Sequence, residues 1–291
     1  MRAHGLFAIA LAGCANTTVH GHAVTLRPAC EPRTYWTGTK CAPAGEAPKQ
    51  LEAGAAAVAA QDPEAIAAAV AAAEKAGPLD HPSNIKLWEE RGIGLAYGDD
   101  DPGAKTAFDM MLALDPGHVL SYQLSPKATL VFEEVRKAQP IPPTIDVNWS
   151  RGQKVGDPLP IEIEVIADRK QFLARATLFV RSRGETLWRA TDLDLAKDKT
   201  IVLPAIRSDK PVSLELYLRA YDAHENEVLS WADPQHPREL ALRYDPPTPW
   251  FRRWWVWAVS GSVLALATGV TVYELTIAPP DTVGGSASVT R

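Results

Sequence analysis

Between Arg253 and Glu274 the chain carries no Asp, Glu, Lys or Arg, and no other feature restricts its folding as strongly. As a helix rising about 1.5 Å per residue, Trp254 to Tyr273 would be roughly 30 Å long, the thickness of a bilayer's hydrocarbon core. One transmembrane helix over 254–273 is therefore expected, with a buried core helix of a soluble domain as the rival reading. Trp254, Trp255 and Trp257 at one end and Tyr273 at the other stand where interfacial aromatics belong, and Arg252 and Arg253 flank them at headgroup level. Gly261, Ala265 and Gly269 recur every fourth residue, a strip of small side chains that lets a second helix approach closely. A membrane is thus the first expected partner, and a homo-oligomer through this helix the second.

The opposite end also reads as membrane-directed. Arg2 supplies a positive start, Leu6 to Ala12 an apolar stretch and Gly13 a small residue before Cys14, the order of an export signal over residues 1–13. A buried first strand or helix is the alternative. The ending Leu11-Ala12-Gly13-Cys14 resembles the lipobox of bacterial lipoproteins, and this resemblance implies that Cys14 becomes the lipid-modified first residue. Ala15 resembles the following residue in lipoproteins sent to an outer membrane. Export places residues 15 to 250 in the periplasm, although Arg252 and Arg253 flank the span on that side, against the positive-inside bias. Long domains translocate largely regardless of flanking charge, so the leader sets the orientation. The span favours an inner membrane and Ala15 an outer one; a chain bridging both would satisfy each signal. Residues 274–291 read as a flexible tail.

With Cys14 lipidated, Cys30 and Cys41 remain in an exported linker over 14–45. An oxidising compartment favours their disulfide, which in the chain-entropy model adds about 3 kcal/mol for so short a loop. Free thiols are one rival. A metal site with His20 and His22 is another, but the cysteines lack the close paired spacing of zinc sites.

Removing leader, span and tail from 291 residues leaves about 235, enough for two modest domains. The formal charge of -5 and the lack of any Lys/Arg run argue against nucleic acid as a partner. Residues 46–138 are Ala-rich, 139–143 read Gln-Pro-Ile-Pro-Pro, and 144–245 alternate like strands. The proline cluster is the boundary, since it cannot continue a helix. Asp62-Pro63, Asp101-Pro102 and Ser125-Pro126 each place an N-cap residue before a proline suited to the first helical position. Helices are expected to start near 63, 102 and 126, with others over 46–60 and 84–97.

Within 85–118, Trp88, Gly92, Leu95, Ala104, Phe108 and Pro116 fall where the 34-residue tetratricopeptide repeat has a large residue, Gly, a large residue, Ala, an aromatic and Pro. The stretch resembles one tetratricopeptide unit, with Arg91 and Met111 departing from the pattern; an unrelated helical bundle is the alternative. One period earlier little beyond Pro82 is kept. Such hairpins need neighbours or a cap, and Pro126 onward, with Leu130, Phe132 and Val135, offers a capping helix. Leu114-Asp115-Pro116-Gly117 followed by Ser125-Pro126-Lys127 looks like helical modules of Gram-negative envelope proteins, which implies interaction.

Ile161, Ile163 and Val165 alternate with Glu162 and Glu164; Ala174, Ala176, Leu178 and Val180 with Arg175, Thr177 and Arg181; and Val212 to Ala220 repeat the pattern. Period two with one apolar face marks half-buried antiparallel strands. Further strands are expected near 145–149, 186–191, 199–203, 227–231 and 238–243. Seven or eight strands in about 100 residues resemble an immunoglobulin or fibronectin type III sandwich, without the antibody cysteine pair. The expected fold class is multidomain, α then β: tetratricopeptide-like helical hairpins, an antiparallel sandwich and one transmembrane helix.

No phosphate loop, nucleophile elbow or zinc-protease helix occurs, so no catalytic, cofactor or metal residues are assigned. Asp99, Asp100 and Asp101 lack the alternating ligands of a calcium loop, and Asp101 reads as a cap. His224 with Asp222 and Glu225 reads as a solvated turn. The expected function is a non-catalytic, membrane-anchored envelope scaffold whose helices bind a protein partner, with the sandwich as spacer or second interaction module. A cell-wall or glycan-binding module using Trp149, Trp188 or Trp231 is the alternative. A catalytic role would need a deep pocket holding two coupled titratable groups.

Overall fold

A computed structural model describes residues 21–31, 34–43, 45–247 and 249–276. The chain divides into two compact units after Tyr244. Within the first, five helices precede most of the strands: α1 Ala47–Ala60, α2 Pro63–Ala76, α3 His81–Tyr97, α4 Asp101–Leu114 and α5 Pro126–Lys137. Their starts follow from local chemistry. The Asp62 carboxylate accepts from the Glu64 and Ala65 amides at 3.1 and 3.0 Å, and the Ser125 hydroxyl accepts from the Lys127 amide at 3.4 Å, filling orphan donors of the first turn.

Two starts differ from expectation. Helix α4 begins at Asp101 itself, so its cap is Asp100, whose carboxylate accepts from the Gly103 amide at 3.0 Å. Asp101 instead sits in the acidic first turn, favourable to the helix dipole. Helix α3 begins at His81 rather than near 84, because Asp80 accepts from the Ser83 amide at 3.0 Å and Pro82 fits the first turn.

α1 and α2 form one hairpin and α3 and α4 another; α3 packs against α1 and α2, and α5 lies on α3 and α4. Leu51, Ile66, Leu87, Ile93, Phe108, Met111 and Phe132 are fully buried between them. Each such side chain contributes about 1.5–3 kcal/mol when removed from water. Phe108 and Phe132 meet edge to face at 5.6 Å. Glycines set the closest approaches: a Cβ at Gly94 would stand 2.7 Å from Ile66 on α2. Arg91 bridges to Glu74 on α2 at 2.6 Å and lies over the Trp88 ring.

The strands are β1 His22–Ala23, β2 Arg27–Pro28, β3 Thr34–Trp36, β4 Cys41–Pro43, β5 Thr144–Trp149, β6 Leu159–Ala167, β7 Arg175–Ser182, β8 Arg189–Asp194, β9 Thr200–Leu203, β10 Val212–Tyr221, β11 Glu227–Trp231 and β12 Arg238–Leu242. One sheet runs β1-β9-β6-β5, the other β11-β10-β7-β8-β2. In the second, β12 pairs with the first half of β10 while β11 pairs with its last residues. Leu159, Ile161 and Ile163 from one sheet and Leu178, Leu214, Leu216 and Leu218 from the other share one core. Alternation delivers this core but fades at Val165, which is partly exposed near the strand end.

Part of the segment expected as a linker is folded into these sheets. β1 lies parallel to β9 and β2 antiparallel to β8, with Val24 and Leu26 packed on the shared core. Strands of two residues carry too little periodicity to be read from sequence. β3 and β4 form a separate hairpin.

The outer face of the second sheet is not simply solvated. Phe179 stacks on Tyr217 at 4.4 Å, Trp188 meets Tyr217 edge-on at 4.7 Å, and the Arg181 guanidinium lies 4.1 Å above Trp188. Burial, the dominant influence, pushes the Tyr217 phenol up to about 12.

Helices and sheets are clasped together. The Asn84 side-chain amide donates to the Glu227 carbonyl at 3.1 Å, the Glu227 amide donates to the Leu79 carbonyl at 2.8 Å, and the Leu79 amide donates to the Asn226 side chain at 3.0 Å. Ala113 and Leu114 of α4 share a small core with Phe172 and Val228, and Lys170 pairs with Asp109.

In the second unit a 3-10 turn, Trp250–Arg252, precedes α6, Trp254–Thr276. Trp254–Val272 is long and apolar enough to cross a membrane, with mean hydropathy 1.6. The hydroxyls of Ser260, Ser262, Thr268 and Thr271 each donate to the carbonyl four residues back, at 2.7 to 2.8 Å. Four polar groups are thereby satisfied within the helix itself, as an apolar surrounding requires.

Candidate interaction cleft

The helical layer carries a cleft of about 340 Å3 between α1, α3 and the loop over residues 115–125. α1 supplies Ala55, Val58 and Ala59; α3 supplies Lys86, Glu89, Glu90, Ile93 and Tyr97; the loop supplies Ser121, Gln123 and Leu124. Small residues on α1 leave the space open, while the i, i+3, i+4 rows of α3 bring Lys86, Glu89, Glu90, Ile93 and Tyr97 to one side. On the same loop Val119 and Tyr122 are 70% and 93% exposed.

Glu90 is the anomaly of the site. It is only 3% exposed, and neither carboxyl oxygen receives a hydrogen bond among the described residues. The Lys86 ammonium stands 3.7 Å from Oε1, an ion-pair distance beyond hydrogen-bonding reach. Burial is the main influence and raises the Glu90 carboxyl from 4.5 to about 7, with Lys86 opposing and Glu89 reinforcing the rise. Gly54 of α1 makes the room: a Cβ there would lie 2.0 Å from Glu90 Oε2. Beside it, His118 places Nε2 3.3 Å from Glu89 and Nδ1 3.4 Å from Asp115. The Glu89 contact chiefly raises the imidazole pKa against the opposing effect of burial.

Nothing in the sequence analysis singles out Glu89 or Glu90. The signal was available in the spacing: Leu87, Glu90 and Gly94 lie three and four residues apart, so Glu90 falls on the buried row. Gly54 was hidden in an alanine run.

Cys14 lies outside the described residues. Cys30 and Cys41 are joined in a disulfide, Cα to Cα 5.6 Å, that ties the chain before β3 to the first residue of β4, beside the hairpin turn; neither thiolate is then available to a metal. Arg252 and Arg253 precede α6, whose first turn holds Trp254, Trp255 and Trp257, all exposed. Gly261 and Ala265 lie on α6, with open space around Gly261; of Gly269 and Tyr273 only the helical backbone is described. Trp149 and Trp231 meet edge to face at 6.2 Å, each half-buried against the sandwich core. Trp188 is half-buried under Arg181. Asp99 and Asp101 face the Lys127 ammonium. The Asp222 carboxylate accepts from the His224 and Asn226 amides, and Glu225 pairs with Arg175.

The class defined by these observations is coarse: helices, then a layered and mainly antiparallel β region, then one apolar helix able to span a bilayer by length and composition. No family model matches the chain, and no curated protein matches it. A solved structure described as "Myokine structure" aligns at 8% sequence identity over 35% of this chain and 93% of its own, with a TM-score of 0.26. A likeness at that score carries neither fold nor function.

Proposed function

We propose that this chain is a non-catalytic, membrane-anchored scaffold of a bacterial envelope, which engages a protein partner through the cleft between α1, α3 and the 115–125 loop. The carrying observation is that cleft, whose loop also carries the exposed Val119 and Tyr122. In this reading α1 to α4 are two tetratricopeptide-like hairpins and α5 their cap. It is supported by α1 and α3 starting at Ala47 and His81, one period of about 34 residues apart, and by the seating of Gly92 against Phe108. The two sheets act as an immunoglobulin-like spacer. Cys14 carries lipid, α6 crosses a membrane, and residues 15 to 250 face the periplasm. The self-satisfied hydroxyls of α6 favour a helix immersed in lipid. The reading also includes a second copy packed along Gly261, Ala265 and Gly269.

The test is photocrosslinking in the native envelope. A photoreactive residue replacing Tyr122 should yield a discrete crosslinked protein, whereas one replacing the sheet residue Glu162 should not. Equal crosslinking from both positions, or none from 122, sinks the proposal.

A further inference from the structure

A buried carboxyl group short of donors costs free energy unless something supplies them. Glu90 has both oxygens in that condition while lining a cleft open to solvent, and Gly54 is the only side-chain-free position on the adjoining face of α1. The remaining walls are suited to a cation. Glu89 adds a second carboxylate, Tyr97 an aromatic ring and Gln123 an amide oxygen. An entering anion would meet two carboxylates and only the Lys86 ammonium in its favour.

We propose that the cleft receives the ammonium or guanidinium of one lysine or arginine side chain from an extended peptide segment of the partner, held between Glu90, Glu89 and the Tyr97 ring. This rests on the scaffold reading and gives it a chemistry. Lys86, on the preceding turn of the same helix, marks the ammonium's position from within the chain; its flexible stem lets it withdraw as the partner's cation arrives. The groups facing Glu90 are Lys86 and Glu89 on α3, Gly54 and apolar side chains on α1, and the neutral Ser121 and Gln123 on the loop, with His118 engaged by Glu89. A cation stabilises the ionised form of Glu90, which burial otherwise disfavours. Val119 and Tyr122 then contact the apolar residues flanking the inserted side chain.

The full chain in detergent micelles is titrated calorimetrically with the blocked peptide Ala-Leu-Lys-Leu-Ala and with versions carrying Arg, norleucine or Glu at its centre. The Lys and Arg peptides should bind at least about tenfold more tightly than the norleucine and Glu peptides, the scale of one charge-assisted hydrogen bond. Glu90→Gln should remove that preference, and Lys86→Met should tighten the Lys peptide. Norleucine binding as well as Lys overturns the proposal, and so does an unchanged Kd in a folded Glu90→Gln variant. Should Glu90→Gln fail to fold, the four peptides on the unaltered chain decide. A crosslinked partner at position 122 that persists in Glu90→Gln at full yield overturns the cation pocket while leaving the scaffold standing; loss of that crosslink in the unaltered chain removes the scaffold itself.

Discussion

Gly92 on α3 faces the ring of Phe108 on α4 so closely that a Cβ on Gly92 would stand 2.6 Å from the ring carbons Cδ1 and Cε1. Gly92→Ala gains about 1 kcal/mol in helix propensity, but the added methyl must displace a fully buried ring in a packed core, at about 1–3 kcal/mol. The crowding wins, and the variant should unfold at lower temperature than the unaltered chain. An unchanged or raised midpoint by circular dichroism would show that the hairpin is looser than this contact implies.

That contact was legible in the sequence, since Gly92, Ala104 and Phe108 fall at repeat-like spacing, and the long strands were legible through alternation. The preceding hairpin was legible only as two alanine-rich helices: residues such as Gly54 and Ala57 pack by being small, and small residues carry no pattern. Glu90 escaped for a different reason. A single charged residue on a buried row looks like a solvated charge until the opposing helix is seen. The two short strands before residue 30 became legible only through their partners, β9 and β8.

The cap of α4 separates two adjacent aspartates. Asp100→Ala removes the acceptor for the Gly103 amide and should cost about 0.5–2 kcal/mol. Asp101→Ala, which loses first-turn charge and a long, exposed ion pair with Lys127 at 3.9 Å, should cost about a few tenths. Reversal of that order in urea denaturation would restore Asp101 as the cap.

Glu90 makes stability depend on pH in a fixed direction. Its carboxyl titrates near 4.5 unfolded and near 7 folded, so between those values the native state holds a proton that the unfolded chain has released. Stability therefore falls as pH rises from about 4.5 to 7, by about 3 kcal/mol at 1.36 kcal/mol per unit, and is flat above. Glu90→Gln should abolish this fall and be the more stable protein at pH 8, the advantage shrinking toward pH 5. Parallel pH profiles for the two proteins would contradict the burial of this group.

Leu266, exposed on α6, tests the span. Leu266→Arg places a charge near the middle of the segment, at about 2.5–3.5 kcal/mol on insertion scales, and should weaken membrane retention while leaving the first unit folded. Reporters fused near Pro246 and after Arg291 should be active only in the periplasm and only in the cytoplasm, respectively. A periplasmic tail with retention intact would instead favour the proposed lipid on Cys14 as anchor, which acyl labelling lost in Cys14→Ser would support.

The hairpin of β3 and β4 depends on its crosslink. Non-reducing peptide mapping should recover Cys30 bonded to Cys41, and reduction should free the hairpin for proteolysis before the rest of the unit, since closing so short a loop contributes about 3 kcal/mol. Two freely alkylated thiols in exported protein would contradict the bond.

The clasp from Asn84 to Glu227 has a consequence for how such a chain can change over time. The amide of one layer completes the backbone hydrogen bonding of the other, and Phe172 is buried by α4, so a cut at the prolines of 139–143 would leave a raw surface on both fragments. The helices cannot be transplanted as a ready-made cassette onto another stalk, nor the sheets reused under another head. The two parts must be inherited together, and substitutions at positions 84, 172 or 228 have to be answered across the seam.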